Sequence, residues 1–304
     1  MFTRLLIPLD GSKTAEQILP YARVFARTFK LPVELLGVID VAGFLTSVEQ
    51  ARKLDALIQD ATREGEKYLE GVAKRFAGSR VKRTVEQGKA ADGIIEKAAA
   101  DKTTLIGMAT HGRSGLNRWL LGSVAEKVLR ATINPLLLVR ASSEGKTDGE
   151  ATLKSIVVPL DGSELADHVM PLASKIAKTL GLEVFLFRAY SNPYSPFISG
   201  GGKYAVNVDE LMKDIRDEAR NYLEEKMVEF QQQGVEEISY LLQEGVAADE
   251  IVSVANHTPE SLIVMCSHGR SGVGRWVLGS VTETVVRHSA SPVLILRHTV
   301  PGGR

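Results

Sequence analysis

Cysteine is nearly missing from this chain. Cys266 is the only one among 304 residues, so no intrachain disulfide can form and a thiolate zinc site lacks its ligands. Net charge is missing too: 37 Lys and Arg balance 37 Asp and Glu, which removes the positive field that non-specific nucleic-acid binding needs. No apolar run reaches membrane-spanning length, and the opening stretch Leu5 to Leu9 is too short for the core of a secretion signal. These absences predict a cytoplasmic protein with no nucleic-acid or membrane partner. The remainder is ordinary for a folded soluble chain, with 44% hydrophobic and 24% charged residues, and 304 residues leave room for two domains.

The chain repeats itself. Pro8-Leu-Asp-Gly-Ser12 returns unchanged as Pro159-Leu-Asp-Gly-Ser163, and Pro20 returns as Pro171. Further along, His111 to Val124 returns as His268 to Val281 with few changes, and Gly88 as Gly245. The second spacing exceeds the first by six residues (157 less 151), and Pro193 to Gly202, with its triple glycine, is the expected place for the insertion. Ala141 to Glu150 is small, polar and non-periodic, the composition of an exposed linker. The expected domains are therefore 1–141 and 153–304, joined by 142–152.

Within each copy, short apolar runs alternate with helical patterns. In the first, Leu5 to Leu9, Val33 to Ile39, Val81 to Glu86, Thr104 to Ala109 and Leu136 to Arg140 read as strands. Helices fall between them, including one from about Ser123 to Ala131. Strands that are apolar on both faces and separated by helices predict a doubly wound parallel sheet, an α/β fold, in each copy. In such sheets a ligand sits beyond the carboxyl ends of the strands, so the loops after the first and fourth strands are the places to search.

The loop after the fourth strand holds Gly112, Gly115 and Gly122. Ser123 then marks a helix start, with Glu126 three residues on as in a capping box; Ser280 and Glu283 repeat this. Glycines let a backbone approach a ligand closely, and N–H groups at a helix start attract anions, so phosphate is the natural guest, aided by Arg113, Arg118, Arg270 and Arg275. The same glycines can equally well shape a turn, the serine cap a helix and the arginines face water.

A strand, then G-x-x-G, nine residues and G-[S/T], resembles the ATP-binding signature of the universal stress protein family. The likeness extends to the Pro-Leu-Asp-Gly-Ser loops, the Val-Ile-Asp end of the second strand and the closing Asn134 to Val139 and Ser291 to Leu296 strands. The resemblance implies five parallel strands in the order 3-2-1-4-5, adenine beside Val38, ribose beside Asp10, and phosphates on the Gly112 to Val124 loop. The implied site comprises Asp10, Val38, Ala109, Gly112, Arg113, Gly115, Gly122, Ser123 and Val124. In the second copy it comprises Asp161, Ala189, Cys266, Gly269, Arg270, Gly272, Gly279, Ser280 and Val281. Both copies depart from the signature at its first glycine, here Ala109 and Cys266. The second also has Arg188-Ala189-Tyr190 for Gly37-Val38-Ile39, a change expected to add bulk at the adenine wall and to leave the first copy as the better site.

The implied ligand is ATP, AMP or ADP, with Mg²⁺ as companion near Asp10 and Asp161, in a stress-response or signalling protein with at most slow ATP hydrolysis. The family also implies a pseudo-twofold pairing of the copies through their final strands, a possible homodimer and a protein partner of unknown kind. An interaction module that has lost its nucleotide is the alternative. A nucleotidyltransferase or pyrophosphatase is disfavoured, since neither HxGH nor SGGxDS follows the first strand. His111 and His268 read as loop-ordering residues, Trp119 and Trp276 as packing residues, Cys266 as a buried inert thiol and Asp209 to Glu229 as a solvated helix face.

Overall fold

The structure, a computed structural model, describes residues 1–40, 54–110, 121–142, 145–191, 208–267 and 278–297. By internal packing the chain divides into two compact units. One is built on Met1–Thr152 and includes Val273–Leu278 and Pro292–Arg304; the other is built on Leu153–Gly272 and Gly279–Ser291.

The first unit runs β1 (Leu5–Pro8), a 3₁₀ turn (Ala15–Ile18), α1 (Leu19–Thr28), β2 (Val33–Ile39), α2 (Leu54–Ala73), β3 (Val81–Gln87), α3 (Ala90–Ala99), β4 (Leu105–Ala109), α4 (Ser123–Ala131) and β5 (Leu136–Val139). Its sheet has the expected order β3-β2-β1-β4-β5, all parallel. On the far side of β5, the strand β10 (Val293–Leu296) pairs antiparallel, with Leu294 opposite Leu137.

The second unit runs β6 (Ser155–Pro159), a single turn α5 (Glu164–Asp167), α6 (Met170–Leu180), β7 (Glu183–Tyr190), α7 (Val208–Gln232), β8 (Ile238–Glu244), α8 (Ala247–His257), β9 (Ser261–Cys266) and α9 (Ser280–His288). Its parallel strands follow the same winding, β8-β7-β6-β9.

The core follows the apolar runs. Every residue of β4, β5 and β9 is buried, and α1 turns Leu19, Ala22, Phe25 and Ala26 inward at helical spacing. The edge strand β3 is different: Lys82, Arg83 and Glu86 give it a half-exposed, charged pattern that discourages pairing with another chain.

The six extra residues of the second copy do not all fall near Pro193. Tyr68, Leu69 and Phe76 match Tyr222, Leu223 and Phe230 at a spacing of 154 (222 less 68), midway between the two motif spacings. Leu69, Phe76, Leu223 and Phe230 are all buried. Three of the extra residues therefore lie after Phe230, in the turn into β8, and three before α7; Pro193 to Gly202 itself lies outside the described residues.

The segment with linker composition lies against α1. Gln17 and Ser142 exchange two hydrogen bonds, the buried Arg23 donates to the carbonyls of Gly149 (2.6 Å) and Thr147 (2.9 Å), and Arg27 pairs with Glu150 (2.8 Å). Carbonyls have no sequence pattern, so composition alone could not reveal this strap.

Candidate functional site

At the carboxyl end of the first sheet lies an open cleft of about 230 Å³. β1 and its loop supply Pro8, Leu9 and Asp10; β2 supplies Leu36 and Val38; α3 supplies Ala90 and Ile94; β4 supplies Met108, Ala109 and Thr110; the start of α4 supplies Gly122, Ser123, Val124 and Ala125. The cleft thus has an apolar wall of Leu36, Val38, Ile94 and Met108, and a polar rim of Asp10, Thr110 and Ser123. Six of the residues expected in the first site meet here: Asp10, Val38, Ala109, Gly122, Ser123 and Val124. Gly112, Arg113 and Gly115 lie outside the described residues, as do His111, Arg118 and Trp119.

Three local geometries shape this cleft. The first is the turn after β1, where Asp10 Oδ1 accepts the Ser12 N–H (2.9 Å) and O–H (2.6 Å), while Ser12 Oγ accepts the Ala15 N–H (3.0 Å). An aspartate that bonds the backbone two residues ahead makes a self-bracing turn.

The second is the end of β2. β1 stops at Pro8, and the Leu9 N–H is donated to the Leu36 carbonyl (2.9 Å). Alternation along a parallel ladder turns the N–H and C=O of Val38 to that same side, past the end of β1, whereas the Ile39 carbonyl faces β3 and accepts the Gly88 N–H (2.9 Å). A donor and an acceptor of one residue are therefore presented side by side at the cleft.

The third is the start of α4, where the expected capping boxes are not built. Gly122 and Gly279 occupy the N-cap positions in place of Ser123 and Ser280, and neither end has a side-chain cap bond. Glu126 and Glu283 instead reach forward to Arg130 (3.3 Å) and Arg287 (2.9 Å). A glycine has no side chain to fold back, and its extended ψ (145° and 138°) brings the chain straight into the helix. The first N–H groups of the helix are left facing the cleft with the positive end of the dipole behind them. The Gly122 N–H also bonds the Thr110 carbonyl (2.7 Å), which closes the glycine-rich loop at its base.

The second copy places its residues at the same points. Ser163 donates to Asp161 Oδ1 through N–H (3.0 Å) and O–H (2.6 Å); the Leu160 N–H bonds the Phe187 carbonyl (2.8 Å); and the Gly279 N–H bonds the Ser267 carbonyl (2.9 Å). Ala189 is the last residue but one of β7, Cys266 ends β9, and Ser280 and Val281 open α9. Gly269, Arg270 and Gly272 lie outside the described residues, as do His268, Arg275 and Trp276.

The bulk expected at the second adenine wall is directed elsewhere. Arg188, only 5% exposed, lies over the Tyr222 ring (4.9 Å) and bonds Glu218 (3.1 Å), and Tyr190 accepts from Arg216 (3.0 Å), all on α7. Side chains alternate along a strand, so Ala189 points to the opposite face, and there it is smaller than Val38. Cys266 is buried, and burial, followed by the charges of Asp161 and Asp167, pushes its thiol up to about 12, which fits the inert thiol expected from the sequence.

The sequence reading missed a second layer behind the aspartate turn. Glu16, 3% exposed, accepts a hydrogen bond from the Tyr68 hydroxyl (3.1 Å) and pairs with Arg75 (2.9 Å). In the second copy Asp167 accepts from the Tyr222 hydroxyl and pairs with Lys226 (3.0 Å). The signal that could have found it is the 154-residue match of Tyr68 with Tyr222.

Each copy is thus a doubly wound α/β unit with an aspartate turn after its first strand and a glycine-capped helix start after its fourth, and in the first copy these meet around one cleft. The family model described as the universal stress protein family matches residues 1–140 and again 152–297. The chain belongs to that family.

Relatives fit the duplication. The chain is 36% identical over 152 residues to the universal stress protein MJ0531 of Methanocaldococcus jannaschii, a match covering 49% of this chain and 85% of that protein. It is 31% identical over 157 residues to MJ0577 of the same organism, covering 46% of this chain and 96% of that one. Over nearly the full length, the crystal structure of a universal stress protein from Archaeoglobus fulgidus superposes with a TM-score of 0.64 at 19% identity, covering 97% of this chain and 98% of that one; this likeness speaks for the fold. No helix among the described residues is long and apolar enough to cross a membrane.

Proposed function

We propose that the cleft of the first copy binds an adenine nucleotide, ATP or its AMP and ADP relatives, and that the chain is a nucleotide-binding stress-response or signalling module. The observation that carries this reading is the meeting, around one cleft, of an apolar wall, a strand-end donor and acceptor at Val38, the Asp10 turn and the uncapped start of α4. Each suits one part of a nucleotide. The wall and the Val38 backbone pair suit a purine base and its hydrogen-bonding edge. Asp10 suits the ribose hydroxyls or a Mg²⁺ ion bound with the phosphates, and the α4 start suits the phosphates themselves. Ala109 forms part of the wall of a cleft that still holds about 230 Å³, so its methyl leaves room.

The test has two arms. Purified protein is denatured and the released small molecules are identified by mass spectrometry; stripped protein is then titrated with ATP and Mg²⁺ by calorimetry. Adenine nucleotide in the first arm, or micromolar affinity in the second, supports the reading. No released nucleotide and no heat at millimolar ATP defeats it and favours an interaction module on the same fold.

A further inference from the structure

We propose that Tyr68 with Glu16, and Tyr222 with Asp167, are positioning residues that hold the aspartate turn of each ligand site at its working angle. The role in binding rests on the nucleotide reading above; the role in holding the turn does not.

The bonds form one continuous circuit. Asp10 is tied to Ser12, the Ser12 carbonyl accepts the Glu16 N–H (3.2 Å), and the Glu16 side chain is held by Tyr68 and Arg75. In the second copy Asp161 is tied to Ser163, whose carbonyl accepts the Asp167 N–H (3.2 Å), and Asp167 is held by Tyr222 and Lys226. The acid changes from Glu to Asp, and the cation comes from a different position, Arg75 just past α2 in the first copy and Lys226 within α7 in the second. The tyrosine, the order of bonds and the endpoint at the site aspartate stay the same.

The chemistry explains why a phenol stands there. A buried carboxylate is costly unless donors surround it, and Glu16 has Tyr68, Arg75 and Lys13 (3.7 Å). Burial and the neighbouring carboxylates, including Asp10 for Tyr68 and Asp161 for Tyr222, raise both phenols above their ordinary range. They therefore remain protonated donors at physiological pH. The long helices α2 and α7 are anchored on the sheet by Leu69 and Leu223, each beside its tyrosine in sequence and fully buried. The phenol thus links a rigid element to the turn that carries the site aspartate.

The experiment uses the full chain and three variants, Tyr68→Phe, Glu16→Leu and Glu16→Gln, the last of which keeps an acceptor for the phenol. Amide exchange is followed over residues 10–16, beside ATP titration with Mg²⁺ and thermal melting. Tyr68→Phe and Glu16→Leu are expected to speed exchange in that segment and weaken ATP binding, each roughly tenfold, while Glu16→Gln stays within about twofold of the parent. Unchanged exchange in Tyr68→Phe overturns the proposal. So does faster exchange spread over the whole unit with a matching drop in melting temperature, because the pair would then be general packing. If the parent binds no ATP, the nucleotide reading fails by itself, and the exchange data still decide whether Tyr68 holds the turn.

Discussion

The two copies share a frame and differ in what fills it. At the position of Glu34 in β2, the second copy has Phe185, and at the position of Arg4 it has Ser155. Glu34 is buried, paired with Arg4 and Lys82 and bonded by Thr84 (3.0 Å). At Val38 the second copy has Ala189, at Ala109 it has Cys266, and at Gly37 it has Arg188 packed on α7. The Asp-Gly-Ser turns, the glycine caps and the tyrosine braces are the same. What stayed constant is backbone geometry at the carboxyl ends of the strands. What varied is side-chain volume and charge around it, and such differences alter how well a site binds before they alter whether it exists.

The sharpest way to break this comparison is to replace each N-cap glycine in turn. Gly122→Leu is expected to abolish the tighter ATP site, weakening it by roughly a hundredfold or more, because a side chain would occupy the space at the α4 start where backbone N–H groups face the ligand. Gly279→Leu is expected to leave that site intact. Calorimetry on both variants checks it, and loss of the tighter site in Gly279→Leu would reverse the ranking of the copies.

Acid comes next. Burial alone would raise the Glu34 carboxyl, but hydrogen bonds from Thr84 and Lys82 and the charges of Lys82 and Arg4 outweigh it and hold the group below its ordinary value of 4.5. A carboxyl lowered on folding contributes stability that is full above its unfolded value and is lost as pH falls through its folded value. The first unit is therefore expected to lose stability as pH drops below about 4.5. Glu34→Gln is expected to flatten that loss and to cost about 1 kcal/mol at pH 7 by weakening the charge-assisted bonds from Arg4, Lys82 and Thr84. Thermal melts from pH 3 to pH 7 check both, and an equal acid response in Glu34→Gln and parent would show that the network contributes nothing.

Exchanging the wall residues should bring the copies together. Val38→Ala is expected to weaken ATP at the first site about fivefold, and Ala189→Val to strengthen the second by a similar factor, from the area of two methyl groups against the base. Titration of Val38→Ala in a Gly279→Leu background and of Ala189→Val in a Gly122→Leu background isolates each site. A last check on the second copy concerns Cys266: with burial pushing its thiol up to about 12, alkylation at pH 8 is expected to be about a hundredfold slower than for a free thiol. Rapid labelling of the folded chain would show that the second site is more open than the burial of Cys266 implies.

The duplication and the alternation of strands and helices were legible in the amino-acid sequence, because apolar runs make strands and Asp-Gly-Ser makes a turn. The winding order was implied by the family resemblance and is the order of the first sheet; Asp10, Val38, Gly122 and Val124, implied by the same resemblance, line one cleft. Where the reading went astray, a local pattern competed with something it could not see. Ser123 and Glu126 have the spacing of a capping box, but Gly122 already held the cap. Arg188 and Tyr190 have the size to obstruct a cleft, but their direction is set by strand alternation and by α7.

Only tertiary structure could bring Tyr68 to Glu16, Arg75 to Glu16, Arg23 to the carbonyls of Thr147 and Gly149, and Lys82 and Thr84 to Glu34. These partners are tens of residues apart or more. A charge or hydroxyl in a sequence carries no mark of the group it will meet, and burial, which turns such a meeting into a strong interaction, exists only once the sheet and its helices have packed.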